Sequence, residues 1–177
     1  MRAGVELAGE ASVDALAGDL SAIWGAVFSA PPYSESPAAI ADFETGRLLR
    51  HAARDGFAIA IARDPGGDPA GFAYGMTGLQ DSWWSDYLRE RVDPAIVDAW
   101  VPDAFELTEL AVLPEARGAG LGRALLTTLL TARPESRVVC QTIDEETPAR
   151  HLYRSLGFAE LALFDRSVLL GRELPLP

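Results

Sequence analysis

Apolar residues recur at intervals of three and four through Val13, Leu16, Leu20, Ile23, Trp24, Val27 and Phe28, which predicts a helix with one buried face. Ser12 stands where its N-cap belongs, and a short strand near Val5 to Leu7 precedes it. The run Pro31-Pro32-Tyr33-Ser34 breaks the chain before a second helix over Ile40 to Arg54, with Phe43, Leu48, His51 and Ala52 inward. His51 reads there as a satisfied helix residue rather than a ligand.

Past Gly56 the pattern changes period. Phe57 to Ala62 alternates larger residues with alanine, Asp64 to Pro69 is a dense turn signal, and Gly71 to Met76 reads as the returning strand of a hairpin. Residues 79–103 then mix Trp83, Trp84, Tyr87, Leu88, Val92, Ile96, Val97 and Trp100 with acidic residues, predicting one or two short helices interrupted at Pro94. An insertion of this kind forms a lid or acceptor wall rather than core, or a helical arm on the surface or against a second subunit of a homodimer. Phe105 to Val112 is a fourth strand, and a helix with Leu121, Leu125, Leu126, Leu129 and Leu130 on a broad apolar face follows. Pro134 ends that helix. Arg137 to Thr142 is a fifth strand, Thr147-Pro148 caps a last helix that Gly157 stops, and Phe158 to Leu163 and Ser167 to Leu170 are final strands.

Composition narrows the function classes. The chain has 177 residues, 49% of them hydrophobic, which predicts a single folded domain over 1–177. No apolar run reaches membrane-spanning length and the acidic N-terminus lacks a signal peptide's layout, so the expectation is a soluble, cytoplasmic protein. A net charge of −11 makes nucleic acid and anionic membranes poor partners and a cationic acceptor a good one. The single cysteine, Cys140, sits among Val138, Val139 and Thr142 as an ordinary buried strand thiol, and with only two histidines no metal site is implied.

The chemistry concentrates between the fourth strand and the next helix, in Leu107-Thr108-Glu109-Leu110-Ala111-Val112-Leu113-Pro114-Glu115-Ala116-Arg117-Gly118-Ala119-Gly120-Leu121-Gly122-Arg123. An apolar strand, a proline stop and a glycine-rich turn opening into a helix describe an anion-binding loop, where free amides meet a phosphate without side chains in the way. A phosphate-binding loop of the nucleotide type needs Gly-Lys-Ser/Thr, and the chain contains no lysine. A dinucleotide fingerprint needs glycines in another order and an early strand before them.

The Arg117-x-x-Gly120-x-Gly122 order after Val112-x-Pro114 resembles the acyl-coenzyme A loop of the GNAT superfamily of N-acetyltransferases. A second match lies in Ala149-Arg150-His151-Leu152-Tyr153-Arg154-Ser155-Leu156-Gly157-Phe158, similar to that family's A-x-x-L-Y-x-x-x-G-F helix end. The helix, helix, hairpin prelude has the same order. The resemblance implies an α/β (α+β) fold: a mixed, mostly antiparallel twisted sheet of about six to seven strands, about four flanking helices, and splayed fourth and fifth strands.

It also implies acetyl-CoA as acyl donor and a primary amine of a small molecule or peptide as acceptor. Backbone groups of Leu110, Ala111 and Val112 would pair with the pantetheine arm, and Gly118, Ala119, Gly120, Leu121, Gly122 and Arg123 with Arg117 would hold the pyrophosphate. The implied reaction is attack of a neutral amine on a thioester. An alkyl amine of pKa near 10.4 is neutral in about one molecule in 2,500 at pH 7, a penalty of roughly 4.6 kcal/mol, so a base is needed. Glu109 is the choice, on the face of Leu107 and Ala111; Glu106 lies on the other face, with Thr108 and Leu110.

Tyr153 matches the family tyrosine that protonates the departing thiolate, although its helical spacing with Ala149, Leu152 and Leu156 is by itself that of a core residue. Arg123 likewise reads equally as a solvated helix residue. A strand amide at Val112 or its neighbour is the candidate oxyanion donor. The chain departs from the pattern at Glu146, where family members often carry asparagine, with Thr147 as a substitute. A non-catalytic acyl-CoA-binding module is the alternative to an enzyme.

Overall fold

The computed structural model describes residues 4–131 and 133–176. Its strands are β1 (Gly4–Ala8), β2 (Ala58–Arg63), β3 (Pro69–Thr77), β4 (Phe105–Val112), β5 (Arg137–Ile143), β6 (Ala159–Phe164) and β7 (Ser167–Glu173). They form one mixed sheet in the order β1-β2-β3-β4-β5-β7-β6. Short turns make β2/β3 and β6/β7 antiparallel hairpins, β1/β2 and β5/β7 pair antiparallel across longer connections, and β4 and β5, joined through a helix, run parallel. That parallel register joins Phe105 to Val138 and Glu106 to Val139, at the start of both strands.

The chain divides into two compact units, one of residues 1–75 and 109–129, the other of residues 76–108 and 130–177. In the first unit, α1 (Glu10–Phe28) starts at an N-cap of Gly9, not at Ser12. Ser12 lies inside the first turn, donating its N–H to Gly9 O at 2.9 Å. The second helix also begins earlier than its periodicity predicts: Ser36 accepts from Ala39 N and Pro37 fills the first position of α2 (Pro37–Asp42). A π-helical turn, Phe43–Arg47, joins it to α3 (Leu48–Ala52). Trp24 stacks on Phe43 at 4.9 Å, Phe43 on Phe72 at 6.3 Å and Phe72 on Tyr74 at 6.1 Å, so an aromatic column links α1, the π turn and β3. Each such buried side chain stabilises by about 1.5 to 3 kcal/mol. Leu121, Leu125, Leu126 and Leu129 of α6 (Leu121–Thr131) are buried, as their spacing predicts.

The second unit corrects the reading of 79–103. Ser82 caps α4 (Trp83–Arg89), and Pro94 opens α5 (Pro94–Trp100), so the segment forms two short helices with the break at the proline, as expected; its place in the fold is what differs. Leu88, Val92, Val97 and Val101 bury with Phe164 of β6 and Leu169 of β7, which makes the insertion part of this unit's core. The amphipathic spacing was visible; its partner strands, far along the chain, were not. Thr147 caps α7 (Pro148–Ser155) as expected, and Gly157 leaves it at φ +80°. Among the described residues no helix is long and apolar enough to cross a membrane.

Candidate active site

The glycine loop belongs to the first unit. Pro114 ends β4 in a single 3₁₀ turn, Pro114–Ala116, and the chain then reaches α6 through Gly118 and Gly120, at φ +80° and +79°. Both need glycine, because an L side chain is strained in the left-handed region. A Cβ placed on either would meet no heavy atom within 4 Å, so the backbone there faces open space. The first-turn amides of α6 have no intrahelical acceptors, and their partial positive charge is what an anion meets. Arg117 and Arg123 are exposed on this loop and first turn. These residues fit a pyrophosphate.

Two details sharpen the loop's relation to β4. Arg117 Nε donates to Val112 O at 3.0 Å, so this carbonyl is already engaged. Leu113 N–H donates to Ala70 O at 2.9 Å, which commits that amide to β3.

Glu109 lies between the buried Leu107 and Ala111 in the alternation of β4. Desolvation pushes its carboxyl up to about 7; the Trp24 indole N–H and the Arg47 guanidinium oppose the rise, and the Glu35 carboxylate adds to it. Trp24 is only 2% exposed, and its Nε1 makes no hydrogen bond of good geometry among the described residues. The indole thus eases the carboxylate without fully pairing it. Arg47 is itself held over the Trp24 ring at 4.7 Å and near Asp42 at 3.4 Å.

Sequence reasoning missed the neighbours of this carboxyl. Tyr74, fully buried on β3, and His51, half-buried on α3, meet at 3.0 Å between Oη and Nδ1. Burial, with Arg47, Arg54 and Arg50 around the ring, lowers the His51 pKa to about 4, so the imidazole is neutral near pH 7. Burial raises the Tyr74 phenol well above its ordinary value, and the Glu109 charge adds to that rise. Periodicity marks these residues only as inward; the fold brings His51 to Tyr74 and places the Tyr74 phenol within the field of Glu109.

Tyr153 belongs to the second unit. It is buried on α7, with its ring 5.3 Å from that of Phe158. Thr147, proposed from sequence to stand in for the absent asparagine, is buried with Oγ1 accepting from Arg150 N at 3.2 Å, so its hydroxyl is already a helix cap. Glu146 is exposed and takes Arg154 at 2.9 Å and His151 at 2.8 Å, a surface ion cluster. Glu106 is buried too, its Oε1 3.2 Å from where a Cβ on Gly78 would stand. Cys140 is a buried strand thiol whose pKa burial raises.

The second unit also holds a carboxylate that sequence reasoning passed over. Glu135 accepts Arg133 at 2.8 and 2.9 Å and the Thr77 hydroxyl at 2.7 Å. Burial raises its pKa, but these hydrogen bonds outweigh it and hold the carboxyl below its ordinary value.

A family model described as the acetyltransferase (GNAT) domain matches residues 55–160, more than half of the chain. The chain is 34% identical over 154 residues to a GCN5-like protein acetyltransferase of Mycobacterium tuberculosis, covering 78% of this chain and 75% of that protein. A Corynebacterium glutamicum structure described as a histone acetyltransferase and related acetyltransferase superposes with TM-score 0.68 at 21% identity, over 100% of this chain and 99% of that one. The PaiA N-acetyltransferase of Thermoplasma acidophilum, solved with coenzyme A, superposes with TM-score 0.61 at 12% identity, over 97% and 99%. At these identities the two structures speak for the fold alone. The glycine loop, the mixed sheet and the matched family model lead to one conclusion: this chain belongs to the GNAT acetyltransferase family.

Proposed function

We propose that the protein moves an acetyl group from acetyl-CoA to a primary amine, with Glu109 as general base and Tyr153 as general acid. What supports this reading is the Glu109 carboxyl, half-buried between Leu107 and Ala111 on the strand that runs into the glycine loop, where desolvation pushes its pKa up to about 7. Taking a proton from an amine of pKa near 10.4 is uphill by about 8 kcal/mol for an ordinary glutamate and by about 5 kcal/mol at a pKa of 7. Desolvation therefore supplies about 3 kcal/mol toward the step that an amine acceptor most needs.

The amides of residues 118–123, with Arg117, hold the pyrophosphate in this reading. Leu110, Ala111 and the Val112 N–H align the pantetheine arm. When bound, acetyl-CoA supplies the thioester and the thiol that leaves. Glu109 receives the amine proton at its carboxylate, and the Tyr153 phenol gives a proton to the departing sulfur, an uphill transfer of about 2 kcal/mol with cysteine standing in for the thiol. A relative described as a protein acetyltransferase supports a lysine side chain or protein N-terminus as acceptor beside small amines. The surface charge of −11 suits any of these cations.

Thiol release from acetyl-CoA, followed with a panel of small amines and lysine peptides, tests the reading. Acceptor-dependent release is expected; tight acetyl-CoA binding with no release for any acceptor would instead mark a binding module. Tyr153→Phe is expected to lower kcat with little change in acetyl-CoA affinity, because the lost hydroxyl acts at sulfur departure. An unchanged kcat would return Tyr153 to the core.

A further inference from the structure

We propose that the outer face of α4 is a docking surface for a cationic peptide segment, with the Trp83 indole as the platform on which a lysine or arginine side chain lies. This face belongs wholly to the second unit, and its role is independent of those given to Glu109 and Tyr153.

The helix is fixed from its inner side. Leu88 and Ser85 are fully buried, and the Trp84 indole N–H donates to Gln141 Oε1 on β5 at 3.2 Å. Trp84 is thus half-buried and satisfied, while Trp83 beside it is 78% exposed, the most of any large hydrophobic residue among those described. The exposed ring is nevertheless held in place. It stacks on Tyr87, one turn along, with centroids 5.4 Å apart and planes at 21°. Tyr87 in turn has its ring edge-on to Phe164 of β6 at 6.2 Å and the Arg91 guanidinium 4.0 Å above it. Arg91 is anchored by Tyr87 O at 2.9 Å, Glu90 at 3.0 Å and Asp165 at 3.3 Å. The row of Trp83, Tyr87 and Arg91 therefore ends in a fixed indole that meets water, and a ligand need not order it.

Charge selects the occupant. Residues 79–103 carry six carboxylates against two arginines. Both arginines are already neutralised, Arg91 as above and Arg89 by two bonds to Asp98 at 3.0 and 3.1 Å with Asp86 at 3.3 Å. Asp81, exposed two residues before Trp83, has no ion partner among the described residues, and the Asp86 side chain, three residues after it, is mostly in water. A cation beside carboxylates is held by their charge, and a cation over an indole by the ring quadrupole; a lysine or arginine side chain satisfies both while laying its aliphatic stem on the ring. A second copy of this chain would bring the same carboxylates and a net charge of −11 against this face, so like charges would meet. An apolar partner finds only Trp83 and Leu79 exposed among the large hydrophobic residues of this segment, too little to exclude water.

The test is an NMR titration of the full chain, isotope-labelled at tryptophan, with short oligolysine and oligoarginine peptides, the Trp83 indole N–H signal being identified by its loss in Trp83→Ala. Either peptide is expected to move the Trp83 signal and to leave that of the buried Trp24 in place; a Gly-Ser peptide of equal length should move neither. By fluorescence anisotropy of the labelled peptides, Trp83→Ala is expected to weaken binding about five- to thirtyfold, and Trp83→Phe less. Asp81→Asn with Asp86→Asn should weaken it too and flatten its dependence on salt, whereas Asp14→Asn with Asp19→Asn, which removes equal charge from the exposed side of α1, should do little. An unmoved Trp83 signal overturns the proposal. So does a Kd unchanged in Trp83→Ala, or an equal loss in the two paired aspartate variants, since the overall charge alone would then hold the peptide. A dimer in sedimentation that Trp83→Ala dissociates would make a second copy the occupant and overturn it as well. Should Trp83→Ala fail to fold, the two paired aspartate variants carry the comparison.

Discussion

Glu109, half-buried, and Glu135, buried, lie one in each compact unit, and their surroundings leave them in opposite states. Glu135 meets a two-pronged guanidinium and a hydroxyl, so its charge is cancelled locally and its pKa falls. Desolvation dominates at Glu109; the Trp24 indole and the Arg47 guanidinium oppose it without outweighing it, and the Glu35 carboxylate adds to it, so its pKa rises. Burial alone therefore says little about a carboxylate's task. The partners decide: a saturated carboxylate holds structure together, and an undersupplied one is kept ready to take a proton.

The largest effect expected from this contrast is on turnover. Glu109→Gln should cut kcat by about 100- to 10,000-fold and abolish the acidic limb near pH 7, read from thiol release between pH 5 and 9. A loss below about threefold would remove Glu109 from the chemistry.

Next comes stability at the other carboxylate. Glu135→Ala leaves the Arg133 guanidinium, held 4.4 Å above the Phe105 ring, without its ion partner, and should cost about 4 kcal/mol in chemical denaturation at pH 7. Because the folded Glu135 pKa is lowered, its contribution is present above the unfolded carboxyl range and is lost as pH falls through the folded value. Acid unfolding of the variant should accordingly lose part of its wild-type steepness.

Somewhat smaller, and of opposite sign, is the effect of Glu109 on stability. Below about pH 4.5 the group is protonated in both folded and unfolded chains; between there and about 7 the folded chain alone holds the proton, so stability falls as pH rises across that window. Glu109→Gln should then be more stable than the parent at pH 8 by about 3 kcal/mol and nearly equal to it at pH 4.5. Equal stability at both pH values would mean that the carboxyl is well solvated, and the contrast with Glu135 would collapse.

Much of the framework was legible in the residues. Period-two runs gave the strands, and the fourth strand coincides with Phe105–Val112. Thr147-Pro148 and Gly157 bounded α7 because capping is a local transaction between a side chain and amides three residues away. The early starts of α1 and α2 were missed because glycine and an N-terminal proline can begin a helix without any apolar periodicity. The 79–103 segment was misjudged for a different reason: its buried face is completed by Phe164 and Leu169, and no local pattern announces a partner so distant.

At the candidate site, the loop glycines, Arg117 and the carboxylate strand could be named from sequence because their chemistry is local to one strand-turn-helix unit. Left-handed backbone at Gly118 and Gly120 follows from residue type and spacing. What only tertiary structure decided is the electrical state of the groups. Trp24 and Arg47 act on Glu109 from α1 and the π turn, its charge acts on Tyr74 of β3, and His51 of α3 meets Tyr74, and a pKa is set by what surrounds a group in space. Sequence fixes which side chains can titrate, and packing fixes which of them pay to stay charged.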